Sequence, residues 1–186
     1  MKAVKKYPSQ ERLRELFFYD CTTGFLEWLP RPREDFPSYT KFERWNERWP
    51  GKIAGSKSVK GYRSIYIGSD VYLAHRLVWI LNNGDIPDGY LIDHRNGDGD
   101  DNRLENLRLA TALENSRNAA RQVNNTSGFA GVSYAEKDSR WVSRIKIHGK
   151  HKLLVNFKSF QDAVDRRIEV EIMIFGAFAP CLTRAA

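Results

Sequence analysis

Asp93 and His94 stand side by side in the stretch LIDHRNGDGDDNRLENLRLATALENSRN, which runs from Leu91 to Asn118 and also holds Asn106 and Asn115. A carboxylate, an imidazole and two amides in one short, turn-rich segment are the parts needed to hold one metal ion and activate one water. Hydrolysis of a phosphodiester needs an activated water, neutralised charge on the pentavalent transition state and a stabilised departing oxygen. A hard cation such as Mg²⁺ prefers oxygen ligands and keeps several waters, so two protein ligands plus a phosphate suffice. Asp93 offers a carboxylate and Asn115 an amide oxygen, while the imidazole of His94 takes a proton near neutral pH. Asn106 has a donor and an acceptor with which to fix that imidazole or the backbone around it.

Each of these residues also has a plain structural reading. Asp-His pairs arise by chance, Asn106 suits a turn and Asn115 suits a solvated helix face. His75, at the start of an apolar helical stretch, reads as a packed or hydrogen-bonded residue before it reads as a ligand. A calcium loop fails on spacing, because an EF-hand wants Gly at its sixth position and Glu at its twelfth. Counted from Asp98 those positions hold Arg103 and Leu109, and counted from Asp93 the third is Arg95.

The elements that must position these groups are legible as patterns. Tyr90 to Asp93 reads as a short strand ending at His94, Asn96-Gly97 and Asp98-Gly99 mark a loop, and Leu107 and Leu109 lie on a return strand. Thr111 and Glu114 fit a capping box, which starts a helix at Ala112 and puts Asn115 in its first turns. Upstream, Leu73, Leu77 and Leu81 share a helical face that ends near Asn83-Gly84. Before that come strands in KIAGS, YRSIYIG and VYLA. At the N-terminus, Ser9 caps a helix with Leu13, Leu16 and Phe17 on one face, FLEWL reads as a strand, and residues 30–50 read as a loop with one helical turn in KFERWNERW. After a polar, turn-prone NNTSG come three strand-like runs, FAGVSY, RWVSRIKIHG and KHKLLVNF, and a helix from Ser159 to about Phe175.

Composition narrows the partners. The 186 residues carry a formal charge of +7 with pI near 9.5, and 12% are aromatic, which points to a folded protein with an anionic partner. The charge is uneven: residues 1–84 hold 15 Lys+Arg against 9 Asp+Glu, residues 85–125 hold 5 against 8, and residues 126–186 hold 10 against 6. The motif is thus an acidic island between basic flanks, as a cation site facing phosphate would require. Cys21 and Cys181 suggest neither a disulfide framework nor a Cys-rich zinc site. No apolar leader or membrane-length run is present, so a cytoplasmic protein of a bacterial or phage-infected cell, with no membrane partner, is expected.

The pieces AHRLVW, IPDGYLIDHRNGDGDDNRLENLRLAT and the following EN closely resemble the HNH endonucleases of phages and mobile introns, over roughly residues 73–118. That resemblance implies a ββα-metal fold and cleavage or nicking of double-stranded DNA with one divalent cation, Mg²⁺ or in its place Mn²⁺, leaving 3′-hydroxyl and 5′-phosphate ends. It makes Asp93 and Asn115 the metal ligands, His94 the general base and Asn106 the middle motif residue that orients it. The family's last motif position is often His; Asn115 places this chain in an HNN subgroup of homing-type enzymes. His75, Arg76, Arg95 and Asn102 are supporting candidates.

Residues from SGFAGVSY to FGAFAP resemble the AP2-type DNA-binding domain, whose three-stranded sheet lies in the major groove. Arg140, Trp141, Arg144, Lys146, Lys150 and Lys152 are the implied DNA contacts. Strand alternation puts Trp141, Ser143, Ile145 and Ile147 on one face and Arg140, Val142, Arg144 and Lys146 on the other, with Trp141 equally suited to the core.

The expected protein is therefore α+β: an N-terminal α/β extension (1–50), a central HNH unit (51–123, motif core 90–118) and a C-terminal three-stranded sheet with a helix (124–186). Its expected activity is metal-dependent DNA endonuclease, as a monomer that nicks or a homodimer that cuts both strands. The alternatives are a catalytically inactive DNA-binding regulator that uses the basic sheet and, more distantly, an RNA-binding protein.

Overall fold

Ser9 sets the first element: its hydroxyl accepts the N–H of Arg12, and α1 (Gln10–Leu16) follows, burying Leu13 and Leu16. The computed structural model describes residues 6–117, 127–147 and 149–183, in two compact units, Met1–Ala112 and Leu113–Ala186.

In the first unit α1 stops one residue earlier than its apolar face suggests. Phe17 opens β1 (Phe17–Tyr19), which pairs antiparallel with β2 (Leu26–Trp28), Phe17 opposite Trp28. The aromatic run favours a strand, and Asp20 closes the turn by accepting from the Thr22 and Thr23 hydroxyls. Where only a helical turn is expected, α2 (Tyr39–Arg48) is a full helix capped by Ser38, and Trp45 packs edge-on against Trp28 at 5.4 Å. The expected KIAGS strand shrinks to β3 (Ser56–Lys57) and an isolated bridge between Ile53 and Glu27.

A meander follows, β3 pairing with β4 (Arg63–Ile67) and β4 with β5 (Asp70–Leu73), and it leads directly into α3 (Ala74–Asn83). Leu77 and Leu81 are buried as the periodicity requires, but Leu73 ends β5 and is exposed. After a turn, β6 (Tyr90–His94) pairs with β7 (Leu107–Thr111), with His94 opposite Leu107 and Asp93 opposite Arg108. Next, α4 (Ala112–Arg117) starts at the position the Thr111/Glu114 pattern assigns, and the division between the units falls there. One apolar cluster runs from Leu13, Leu16 and Phe17 through Ile65 and Leu77 to Ile92 and Leu107. Described residues of the N-terminal stretch, from Tyr7 to Trp45, thus share a core with the segment that carries the motif. The NNTSG boundary at 124 begins inside residues 118–126, outside those described.

The second unit is a three-stranded antiparallel sheet in the order β10-β9-β8, from β8 (Val132–Ala135), β9 (Arg140–Ile147) and β10 (Lys150–Phe157). Against it lies α5 (Phe160–Phe175), capped by Ser159, followed by the short α6 (Pro180–Thr183). Ile145, Leu153 and Val170 form one apolar cluster between sheet and helix, and Val132, Ala163 and Val164 form another. Arg167 and Glu171 form a buried ion pair of 2.9 Å within α5. Gly131 lets the chain pass this pair: at φ +78 a Cβ there would stand 2.5 Å from Arg167 Nε.

Candidate active site

The acidic island is largely occupied by its own loop. Asp100 takes Arg63 Nε and Nη2 at 3.0 and 3.1 Å, and Lys57 lies within 3.9 Å of it. Asp101 takes Arg103 Nε and Nη2, each at 2.8 Å, and this guanidinium holds its carboxyl below the usual range. Asp98 caps the N–H of Asp100 at 3.0 Å. Asp100 thus fastens the β6–β7 loop to the β3–β4 meander through Arg63 and Lys57, while Asp101 is held by Arg103 within the loop itself.

Asn106 is buried at the loop's base. Its Oδ1 accepts the N–H of Asn96 at 3.0 Å, and its Nδ2 donates to Asn96 Oδ1 at 3.0 Å and to the Asp101 carbonyl at 2.7 Å. Of the two roles open to it, fixing the imidazole or fixing the backbone around it, the geometry realises the second. The imidazole itself meets Asn102, whose Oδ1 lies 3.0 Å from His94 Nε2.

Asp93, His94 and Arg108 are 5%, 4% and 6% exposed. His94 packs edge-to-face on His75 at 4.9 Å between ring centroids, and Tyr62 lies across both rings at 5.9 and 5.5 Å. Burial, reinforced by His94 and Arg76, pushes His75 down to about 3, so this neighbour is neutral at physiological pH. An uncharged imidazole packed on His94 adds shape without adding charge.

Asp93 is paired with Arg108, its cross-strand partner, whose Nε and Nη2 stand 2.8 and 2.7 Å from Oδ2. Both nitrogens address the same carboxylate oxygen. Among the described residues no three His, Cys, Asp or Glu side chains gather as a cation cage. A Mg²⁺ site built from one carboxylate, one amide, waters and substrate phosphate does not need one. A carboxylate of the kind Asp93 offers suits such an ion chemically, with Arg108 as a competing charge. Asn115 sits in the first turn of α4, half-buried, within the second unit.

A family model described as HNH endonuclease matches residues 72–117, the segment from β5 through α4. Protein 3.8 of Escherichia phage T7 is 41% identical over 85 residues, which is 46% of this chain and 68% of that protein. Residues 72–117 carry an HNH endonuclease domain. A solved structure titled "DNA binding and cleavage by the HNH homing endonuclease I-HmuI" is similar with a TM-score of 0.40 and 18% identity, over 92% of this chain and 91% of that one. At that score the likeness carries no argument.

Around and beyond this HNH segment the other candidate residues separate by position. Arg95 is exposed beside His94, and Arg76 stacks over Tyr7 at 5.1 Å. In the second unit Trp141 is partly buried and packs on Phe160 at 4.7 Å against the sheet–helix core, one of the two places the strand alternation leaves open to it. Arg144 and Lys146 are exposed on the opposite face, Arg144 bonded to Ser133 at 2.8 Å. Arg140 is half-buried; Lys150 and Lys152 are exposed, Lys152 at a register break in β10.

Two site residues escaped the sequence reading in their actual roles. Arg108 was readable in principle, since any hairpin register that pairs His94 with Leu107 puts Arg108 across from Asp93. Asn102 carried no such signal, because its place beside His94 depends on how the loop folds back.

Proposed function

We propose that this chain is a divalent-metal-dependent DNA endonuclease, with His94 as general base, and Asp93 and Asn115 holding one cation. What carries the reading is the adjacent, buried Asp93–His94 pair at the end of β6, inside the segment that matches the HNH endonuclease family. His94 would accept the proton of the attacking water, and Asn106 keeps the surrounding loop in shape. The cation supplies charge neutralisation at the scissile phosphate. The Asn115 assignment rests on the motif resemblance alone. Mg²⁺ is the expected ion, since oxygen ligands dominate the set.

The second unit supplies DNA affinity in this proposal, through an AP2-like sheet face presenting Arg144 and Lys146, with Arg140, Lys150 and Lys152 near it. Contacts of that kind are chiefly to phosphate and set orientation more than sequence.

One observation favours the alternative of an inactive DNA-binding regulator: Arg108 already neutralises Asp93. Supercoiled plasmid incubated with the protein decides between them. The enzyme relaxes or linearises it with Mg²⁺, loses that activity in chelator and loses it in His94→Ala. A protein that shifts the plasmid's mobility but never breaks it is the regulator.

A further inference from the structure

Asn102 is 1% exposed, and its Oδ1 lies 3.0 Å from His94 Nε2. Its Nδ2 is buried with no hydrogen-bond partner among the described residues. An orphaned amide donor costs stability that an apolar side chain of similar shape would not. What the position gains in return is the oxygen beside the imidazole.

The backbone of Asn102 is held from the N-terminal hairpin. The Tyr19 hydroxyl donates to the Asn102 carbonyl at 3.2 Å and accepts the N–H of Leu104 at 3.0 Å. Gly24, in the turn between β1 and β2, lies against the same segment at φ +77. A Cβ there would stand 2.5 Å from the nitrogen of Arg103 and 2.7 Å from the carbonyl carbon of Asn102. Any side chain at 24 would push the loop away.

We infer that Asn102 is a positioning residue for His94, its side-chain oxygen holding Nε2–H so that Nδ1 takes the proton, and that the β1–β2 hairpin keeps Asn102 in place through Tyr19 and Gly24. The inference rests on His94 being the general base. A neutral imidazole has one N–H and one lone pair, and the hydrogen bond at one nitrogen decides which is which. An acceptor at Nε2 favours the tautomer whose lone pair is on Nδ1, and removing it weakens that preference. A hairpin outside the family-matched segment 72–117 thereby becomes part of the reaction apparatus.

The test is single-turnover cleavage of duplex DNA with Mg²⁺ by the full chain, alongside the ¹⁵N spectrum of the His94 imidazole. Asn102→Leu is expected to lower the cleavage rate about 10- to 100-fold, with the half-saturating DNA concentration unchanged. Asn102→Asp, which keeps an oxygen at the same place, recovers most of that rate. The wild-type spectrum shows Nε2 protonated, and Tyr19→Phe shifts it toward a mixture. Wild-type rate in Asn102→Leu overturns the inference. Should that variant not fold, a wild-type spectrum with Nδ1 protonated overturns it equally. Full activity in His94→Ala is a different failure, which removes the general-base reading and this inference with it.

Discussion

His75 and Arg108 each leave a measurable trace of the site's electrostatics. His75 in the folded chain titrates at about 3 and an unfolded histidine at about 6.5. Between those values the unfolded chain binds the proton and the folded chain does not, so stability is full above about 6.5 and falls as pH drops through the window. Urea unfolding at pH 7.5 and 5.5 is expected to show a loss of up to about 1.4 kcal/mol that His75→Phe lacks. Equal losses in the two proteins would contradict a buried neutral imidazole. Arg108→Met leaves the Asp93 carboxylate buried without its cation, at an expected cost of about 3–5 kcal/mol in chelator. If Asp93 ligates metal, added Mg²⁺ stabilises this variant more than it stabilises the wild type. Equal stabilisation of both argues that the carboxylate serves only the ion pair.

The β6–β7 hairpin is the element that turns neighbouring residues into a site. Its loop is fastened at the base by Asn106 and at the side by Asp100 to Arg63, and both anchors fix where Asn102 lies. Asn106→Ala removes three hydrogen bonds and is expected to cost about 2 kcal/mol and speed hydrogen exchange at the Asn96 N–H. Exchange at the wild-type rate would show that the loop is held elsewhere. The β4–β5 and β6–β7 strands, the α3 helix and the start of α4 were legible because period, capping and glycine all point one way there. Phe17 and Leu73 were not, since an apolar residue at an element's edge satisfies the helical and the strand pattern equally. The partners of the loop carboxylates were not legible, because sequence shows charge but not pairing; Lys57, Arg63 and Arg103 reach them only after folding. Asn102 was named only as a supporting residue for the same reason: its contact with His94 is a tertiary one.

Over the whole chain, the proposed function assigns chemistry and affinity to different segments. The motif lies in an acidic stretch, while residues 126–186 hold 10 Lys+Arg against 6 Asp+Glu. If the sheet of the second unit binds phosphates, Arg144→Ala and Lys146→Ala each weaken DNA binding across sequences and reduce the log–log salt slope by about one. Unchanged slopes in both variants would move the DNA-binding surface off this sheet. Neither substitution should alter the cleavage rate at saturating DNA. The central claim, that His94 removes the proton from the attacking water, is tested most directly by single-turnover cleavage of end-labelled duplex with Mg²⁺ by the wild type and His94→Ala. A loss of about 10²- to 10⁴-fold in rate with DNA binding intact is the expected result. Cleavage by His94→Ala within a few-fold of wild type would contradict it.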